Sequence, residues 1–150
     1  MTGGLIALAA ALVAASALGL VLRRRVGRFR AARDVLTEAD LGGPLGRQAT
    51  LVQFSTAFCA PCRPTRQILT QVAGMVDGVR HVEVDAAARL DLVRRLRISS
   101  TPTVLVLGPD GVIAKRAVGL PRKADVIAAL GTVIRSAAPE VKQQAGRERP

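Results

Sequence analysis

Phe54-Ser55-Thr56-Ala57-Phe58-Cys59-Ala60-Pro61-Cys62-Arg63 holds the only two cysteines of a 150-residue chain, spaced C-x-x-C. A strand-like run, Thr50-Leu51-Val52-Gln53-Phe54, precedes it. A helix-like run follows, with apolar positions at Ile68, Leu69, Val72, Met75 and Val76. The pattern predicts a helix from about Cys59 to Met75, bent by Pro64 near its first turns. A C-x-x-C at a strand-to-helix junction puts the first sulfur at a helix N-terminus, where unpaired N–H groups and the dipole stabilise a thiolate. The second sulfur lies one helical turn on and can close a disulfide. An attacking thiol beside a resolving thiol is the minimal equipment for dithiol–disulfide exchange. A closed zinc site needs four ligands, and this chain offers no third cysteine and one histidine, His81. A pair of inert buried cysteines is the other reading; the A-P-C-R context at a helix start favours redox chemistry. No metal and no cofactor is expected.

Working outward, the N-terminal side is the most unusual part of the chain. Residues 1–22 carry no charged side chain, and Leu5 to Leu22 is apolar except for Ser16 and Gly19. With Gly3 and Gly4 the run reaches 20 residues, about 30 Å as a helix and enough to cross a bilayer core. Arg23, Arg24, Arg25, Arg28, Arg30 and Arg33 follow at once. A secretory signal would need a basic n-region, and Met1-Thr2-Gly3-Gly4 has none, although Ala15-Ser16-Ala17 could serve as a cleavage site. Arginines after the run hold that flank in the cytoplasm by the positive-inside rule. We therefore expect a transmembrane anchor over 1–22 and a basic juxtamembrane linker over 23–34. Gly3, Ala7, Ala11, Ala15 and Gly19 form a small-residue stripe, which so Ala-rich a run produces by chance.

The formal net charge is +11, and six of the 22 basic residues are those arginines. The 117 residues after Arg33 hold 16 basic and 11 acidic side chains. Aromatics make up 2% of the chain, so nothing interleaves rings with basic residues as a nucleic-acid platform would. No nucleic-acid partner is expected.

A domain over 35–135 and a polar, aperiodic, disordered tail over 136–150 complete the expected organisation. Val35-Leu36 reads as a short edge strand, and Thr37-Glu38-Ala39-Asp40 as a helix N-cap. Asp77-Gly78 turns the chain into a strand, His81–Val84, which ends at Asp85. Leu90, Val93 and Leu96 space a helix. Ser99-Ser100-Thr101-Pro102-Thr103 leads into an apolar strand, Val104–Leu107. Gly108-Pro109-Asp110-Gly111 is a hairpin signal before Val112–Val118. Gly119-Leu120-Pro121 opens a last helix whose apolar face is Val126, Ile127, Leu130, Val133 and Ile134.

Strand, C-x-P-C, helix, strand, helix, Thr-Pro-Thr, hairpin, Gly, helix: over about 35–135 this order resembles the thioredoxin family. The resemblance rests on Phe54, Cys59-Ala60-Pro61-Cys62, Asp85, Thr101-Pro102-Thr103, Gly111 and Gly119. It implies an α/β fold, a central mixed sheet flanked by helices, and protein-disulfide oxidoreductase activity. Cys59 would be the nucleophile and Cys62 the resolving cysteine. Pro102 would be a cis-proline beside the disulfide, with Thr101 offering backbone hydrogen bonds to an extended substrate. The chain departs from the family in having Phe58 for the usual Trp and Ala60 for the commonest Gly between the cysteines. Gln53 replaces the family's buried Asp, and His81 its partner Lys. By the family's register Gln53 and His81 are expected within reach of each other, directly or through water, with His81 able to take a proton that Gln53 cannot.

The leading expectation is a membrane-tethered disulfide reductase acting on disulfide-containing proteins and recycled by an upstream electron donor. An exporter-side oxidoreductase of the cytochrome-maturation type is the enzymatic alternative. A redox-sensing or binding module using the Thr101-Pro102 groove without turnover is the non-enzymatic one.

Overall fold

The computed structural model describes residues 11–19, 30–31 and 34–137. Residues 11–19 are helical (α1), followed in chain order by β1 (Arg30–Ala31), α2 (Glu38–Leu41), β2 (Ala49–Ser55), α3 (Cys62–Ala73), β3 (Val79–Asp85), α4 (Leu90–Arg95), β4 (Thr103–Leu107), β5 (Ile113–Val118) and α5 (Lys123–Ala137). The strands form one sheet in the order β1-β5-β4-β2-β3. The β2–β3 pair is parallel and the others antiparallel, so the sheet is mixed.

Period-2 alternation sends β4 side chains to two separate cores. Val104 and Val106 pack with Leu51 of β2, Leu69 and Val72 of α3, and Val126, Leu130 and Val133 of α5. Leu105 and Leu107 pack on the other face with Val52, Phe54, Val84, Leu92 of α4 and Leu96 at its end. A sheet covered on both faces needs apolar residues at successive positions. That is why β2 is buried along its whole length and β4 reads as a continuous apolar run.

Several boundaries differ from expectation. Among the described residues no helix is long and apolar enough to cross a membrane; residues 1–10 and 20–22 of the expected anchor lie outside the described residues. Arg30–Ala31 pairs antiparallel with β5, carrying the sheet into the stretch read as linker. Val35 makes an isolated bridge to Val112 rather than a strand. β3 begins at Val79, two residues before the expected start. α3 begins at Cys62, not Cys59. Pro64 is then the third helical residue, where its missing N–H has no intrahelical role, so no bend is needed. α5 runs to Ala137, beyond the expected end at 135; 138–150 lie outside the described residues. On α5, Ile127 is exposed and Ala129 is buried in its place.

The far ends of α2 and α4 are tied together, and this steadies the loop that reaches the cysteines. Thr37 and Asp40 form a capping box at α2. The Asp40 carboxylate also accepts from Arg95 Nη2 at 2.7 Å. Leu96 closes α4, with Arg97 in the left-handed region at φ 52° and the Ile98 N–H donating to the Val93 carbonyl at 2.8 Å. This is a Schellman-type stop with a non-glycine residue at its left-handed position. Arg116 Nη2 adds a bond to the Leu96 carbonyl at 2.6 Å. The Arg95 hydrogen bond, aided by the Thr37 bonds and outweighing burial, holds the Asp40 carboxyl down at about 2.

A depressed folded-state value stabilises the fold above the unfolded value near 4 and ceases to do so as pH falls through 2. Asp40→Asn is therefore expected to destabilise by about 1 kcal/mol at pH 7, the scale of one cap or partly exposed pair. Its stability should also fall less steeply than that of wild type between pH 5 and 2. Urea denaturation across that range checks both.

Candidate active site

Three backbone segments converge at one end of the sheet. The first is the turn after β2. Ser55 ends the strand, Cys59 N–H donates to the Thr56 carbonyl at 3.3 Å, and Cys62 N–H donates to the Cys59 carbonyl at 3.1 Å. Cys59 therefore lies in a turn ahead of the helix, and Cys62 is the first helical residue. The two are joined as a disulfide with Cα atoms 5.3 Å apart. The bond brings both sulfurs to the α3 N-terminus, where the dipole favours a thiolate. Their surroundings are unequal. Cys62 is 3% exposed, Cys59 is half-buried, and the preceding Phe58 stands fully in solvent.

The second segment is Ser99–Pro102, delivered by the α4 stop. The Thr101-Pro102 bond is cis, and Thr101 Oγ1 lies 3.3 Å from Thr56 Oγ1, linking this loop to the cysteine turn. Thr103 Oγ1 donates to the Ser100 carbonyl at 2.7 Å, and β4 starts only there. The third segment follows β5, where the Gly119 N–H donates to the Pro102 carbonyl at 2.7 Å. Val118 and Leu120, either side of that bond, are 41% and 42% exposed, so this segment carries exposed apolar surface next to Pro102.

Gln53 lies beneath the cysteines, fully buried, with its Nε2 donating to the Cys62 carbonyl at 2.9 Å. Gln53 and His81 make no direct hydrogen bond to each other. The parallel register sets His81 opposite Leu51 and Glu83 opposite Gln53. His81 is thus one side-chain pair farther from the cysteines, with its Nδ1 3.2 Å from Thr70 Oγ1 on α3. Burial, assisted by the Arg66 charge and opposed by Glu83, lowers its pKa, so the ring is neutral at pH 7. Glu83 was not anticipated as part of this region. It accepts from Ser55 Oγ and Arg66 Nη2, both at 2.7 Å, and these bonds outweigh burial to keep it ionised. The available signal was its position two residues after His81, on the same strand face.

The thioredoxin family model matches residues 43–132, which contain all three segments. The chain belongs to the thioredoxin family. It is 30% identical over 81 residues to a thioredoxin of Mycoplasma genitalium, covering 54% of this chain and 78% of that one. Among solved structures, chloroplastic thioredoxin z is similar at 27% identity with a TM-score of 0.52, over 58% of this chain and 79% of that one. Mitochondrial thioredoxin 3 of Saccharomyces cerevisiae shares the fold at 20% identity and a TM-score of 0.51, over 57% and 79%. As a member of the thioredoxin family with a cysteine pair joined at a helix start, the protein is a thiol–disulfide oxidoreductase. Its substrates are disulfide-containing proteins, and a reductant partner restores the dithiol.

Proposed function

We propose that this thioredoxin-family protein is a membrane-tethered protein-disulfide reductase whose catalytic domain faces the cytoplasm. The observation that carries the reading is the uncharged run over 1–22 followed by six arginines, joined to a redox domain. The described part of that run supports it. Residues 11–19 are helical and exposed throughout, with Leu12, Val13 and Leu18 each about two-thirds exposed, as suits a helix whose apolar surroundings are lipid. In the reducing cytoplasm the dithiol predominates, which sets the direction toward reduction of partners.

The half-buried Cys59 is the nucleophile. Its thiolate attacks one sulfur of a partner disulfide, forms a Cys59–partner disulfide and expels the other partner sulfur as a thiolate. Buried Cys62, as a thiolate, then attacks Cys59 Sγ, closing the internal disulfide and releasing the second partner sulfur. Two electrons and two protons pass to the partner. Thr101 and Pro102 precede β4 and fall outside its ladder, leaving Thr101 backbone groups for an extended partner segment.

Cysteine labelling in intact cells, with a reporter after Pro150, tests the topology. The reporter should be active only if it is of the kind that works in the cytoplasm. Neutralising Arg23, Arg24 and Arg25 while adding lysines at the N-terminus should invert part of the population. Wild-type activity only of an exported reporter would replace this reading with the exporter-side oxidoreductase.

A further inference from the structure

The Gln53 amide has one half bonded and one half orphaned. Its Nε2 donates to the Cys62 carbonyl at 2.9 Å. A carbonyl oxygen only accepts, so this bond fixes the orientation of the amide. Oε1 is then directed elsewhere, and it is buried with no hydrogen-bond partner among the described residues. A buried acceptor without a donor is costly and rare enough to need a reason. Two hydroxyls on the elements that hold Gln53 and Cys62 are committed elsewhere. Thr65 Oγ1 donates to the Pro61 carbonyl at 2.8 Å, and Ser55 Oγ donates to Glu83. His81 Nε2 is also buried and unpartnered, but its strand position is one side-chain pair away.

The redox state of the cysteines supplies the missing donor. In the disulfide neither sulfur carries a proton. Reduction adds two electrons and two protons, breaks the Cys59–Cys62 bond, and leaves a thiol on Cys62. That thiol belongs to a residue 3% exposed, out of reach of bulk water, whose own backbone is already held by Gln53. We propose that Gln53 is a redox-selective positioning residue: Nε2 holds the Cys62 backbone in both states, and Oε1 accepts the Cys62 Sγ–H only in the dithiol. A hydrogen bond present in one redox state alone stabilises that state, so Gln53 raises the reduction potential. A neutral amide cannot accept the proton itself, so it also keeps Cys62 protonated and slows the resolving step. The inference rests on the Cys59/Cys62 couple and not on the membrane placement.

The infrared S–H stretch of reduced Cys59→Ser protein isolates the Cys62 thiol. Its band should lie below the position of an unbonded thiol and move back up when Gln53→Leu is added. In the parent protein, Gln53→Leu should shift the dithiol–disulfide equilibrium with glutathione three- to tenfold toward the disulfide. That is about 14–30 mV more negative, at 29.6 mV per tenfold. Should Gln53→Leu fail to fold, the Gln53 side-chain amide resonances of the wild-type chain should move between the oxidised and reduced states. An unbonded S–H band in the Cys59→Ser protein would overturn the proposal, as would amide resonances indifferent to redox state. Both measurements use the protein without partner or membrane. A failed topology experiment therefore leaves them standing, and their failure leaves the reductase assignment intact.

Discussion

Cys62→Ser is expected to accumulate mixed disulfides with partner proteins and Cys59→Ser few, and both are expected to lose turnover in insulin-type disulfide reduction. The asymmetry follows from where each sulfur sits. Cys59 is half-buried in the turn beside exposed Phe58, open to an incoming disulfide, while Cys62 is 3% exposed as the first residue of α3. With Cys62 replaced, attack still occurs and the covalent adduct has no internal thiol to release it. With Cys59 replaced, the remaining thiol is shielded, and the amide beneath it cannot draw off its proton. Loss of either sulfur is expected to cut turnover at least ~10³-fold, since groups acting as a unit each cost nearly the whole effect when removed. Affinity capture under acid quench, followed by non-reducing electrophoresis, reads the adducts. Equal trapping by both variants, or none by either, would refute the assigned roles.

How far the sequence reaches can be judged from these same residues. C-A-P-C and Thr-Pro-Thr could be read because each combines a reactive or conformationally restricted residue with a strand boundary, and both signals are local. The sheet core was legible for the same reason. Apolar runs such as Val104–Leu107 need two covered faces, and the structure supplies them. What escaped depends on register. Whether His81 or Glu83 stands opposite Gln53 is decided by β3 starting at Val79, and no side chain near that start announces it. β1 escaped because two residues in an arginine-rich stretch carry no alternation; its pairing with β5 is purely a tertiary matter. On α5, Ile127 was expected inside on hydrophobicity, but the helix is rotated so that Ala129 fits against the sheet. The half-used amide of Gln53 could not be read from the sequence at all, since it appears only once Cys62 is placed above it.

Gly111→Ala should be strongly destabilising, because it adds a backbone collision to an unfavourable backbone conformation. The hairpin signal at Gly108–Gly111 predicts a tight turn, and Gly111 does take φ +78°, a region costly for any residue with a Cβ. The turn has a second task the sequence did not reveal. The Leu36 N–H donates to the Gly111 carbonyl at 2.9 Å, and Ile113 N–H donates to the Asp34 carbonyl at 2.7 Å, so the turn docks the segment entering the domain. A Cβ on Gly111 would fall on the backbone carbonyl oxygen of Leu36, far inside van der Waals contact. Leu36 is itself fully buried, so the segment cannot move aside without withdrawing that side chain from the core. Strain of about 1–3 kcal/mol for the backbone region and a similar amount for forced repacking together give roughly 2–6 kcal/mol. At 4–8 °C per kcal/mol for a domain of this size, melting should fall by ~8 °C or more. Gly42→Ala is the control. Gly42 has φ +68° with nothing within 4 Å of the added Cβ, so it carries the conformational cost alone, about 1–2 kcal/mol. Calorimetry of the two variants should separate them by several-fold. Equal losses would mean that left-handed backbone strain, and not the collision with Leu36, dominates at Gly111.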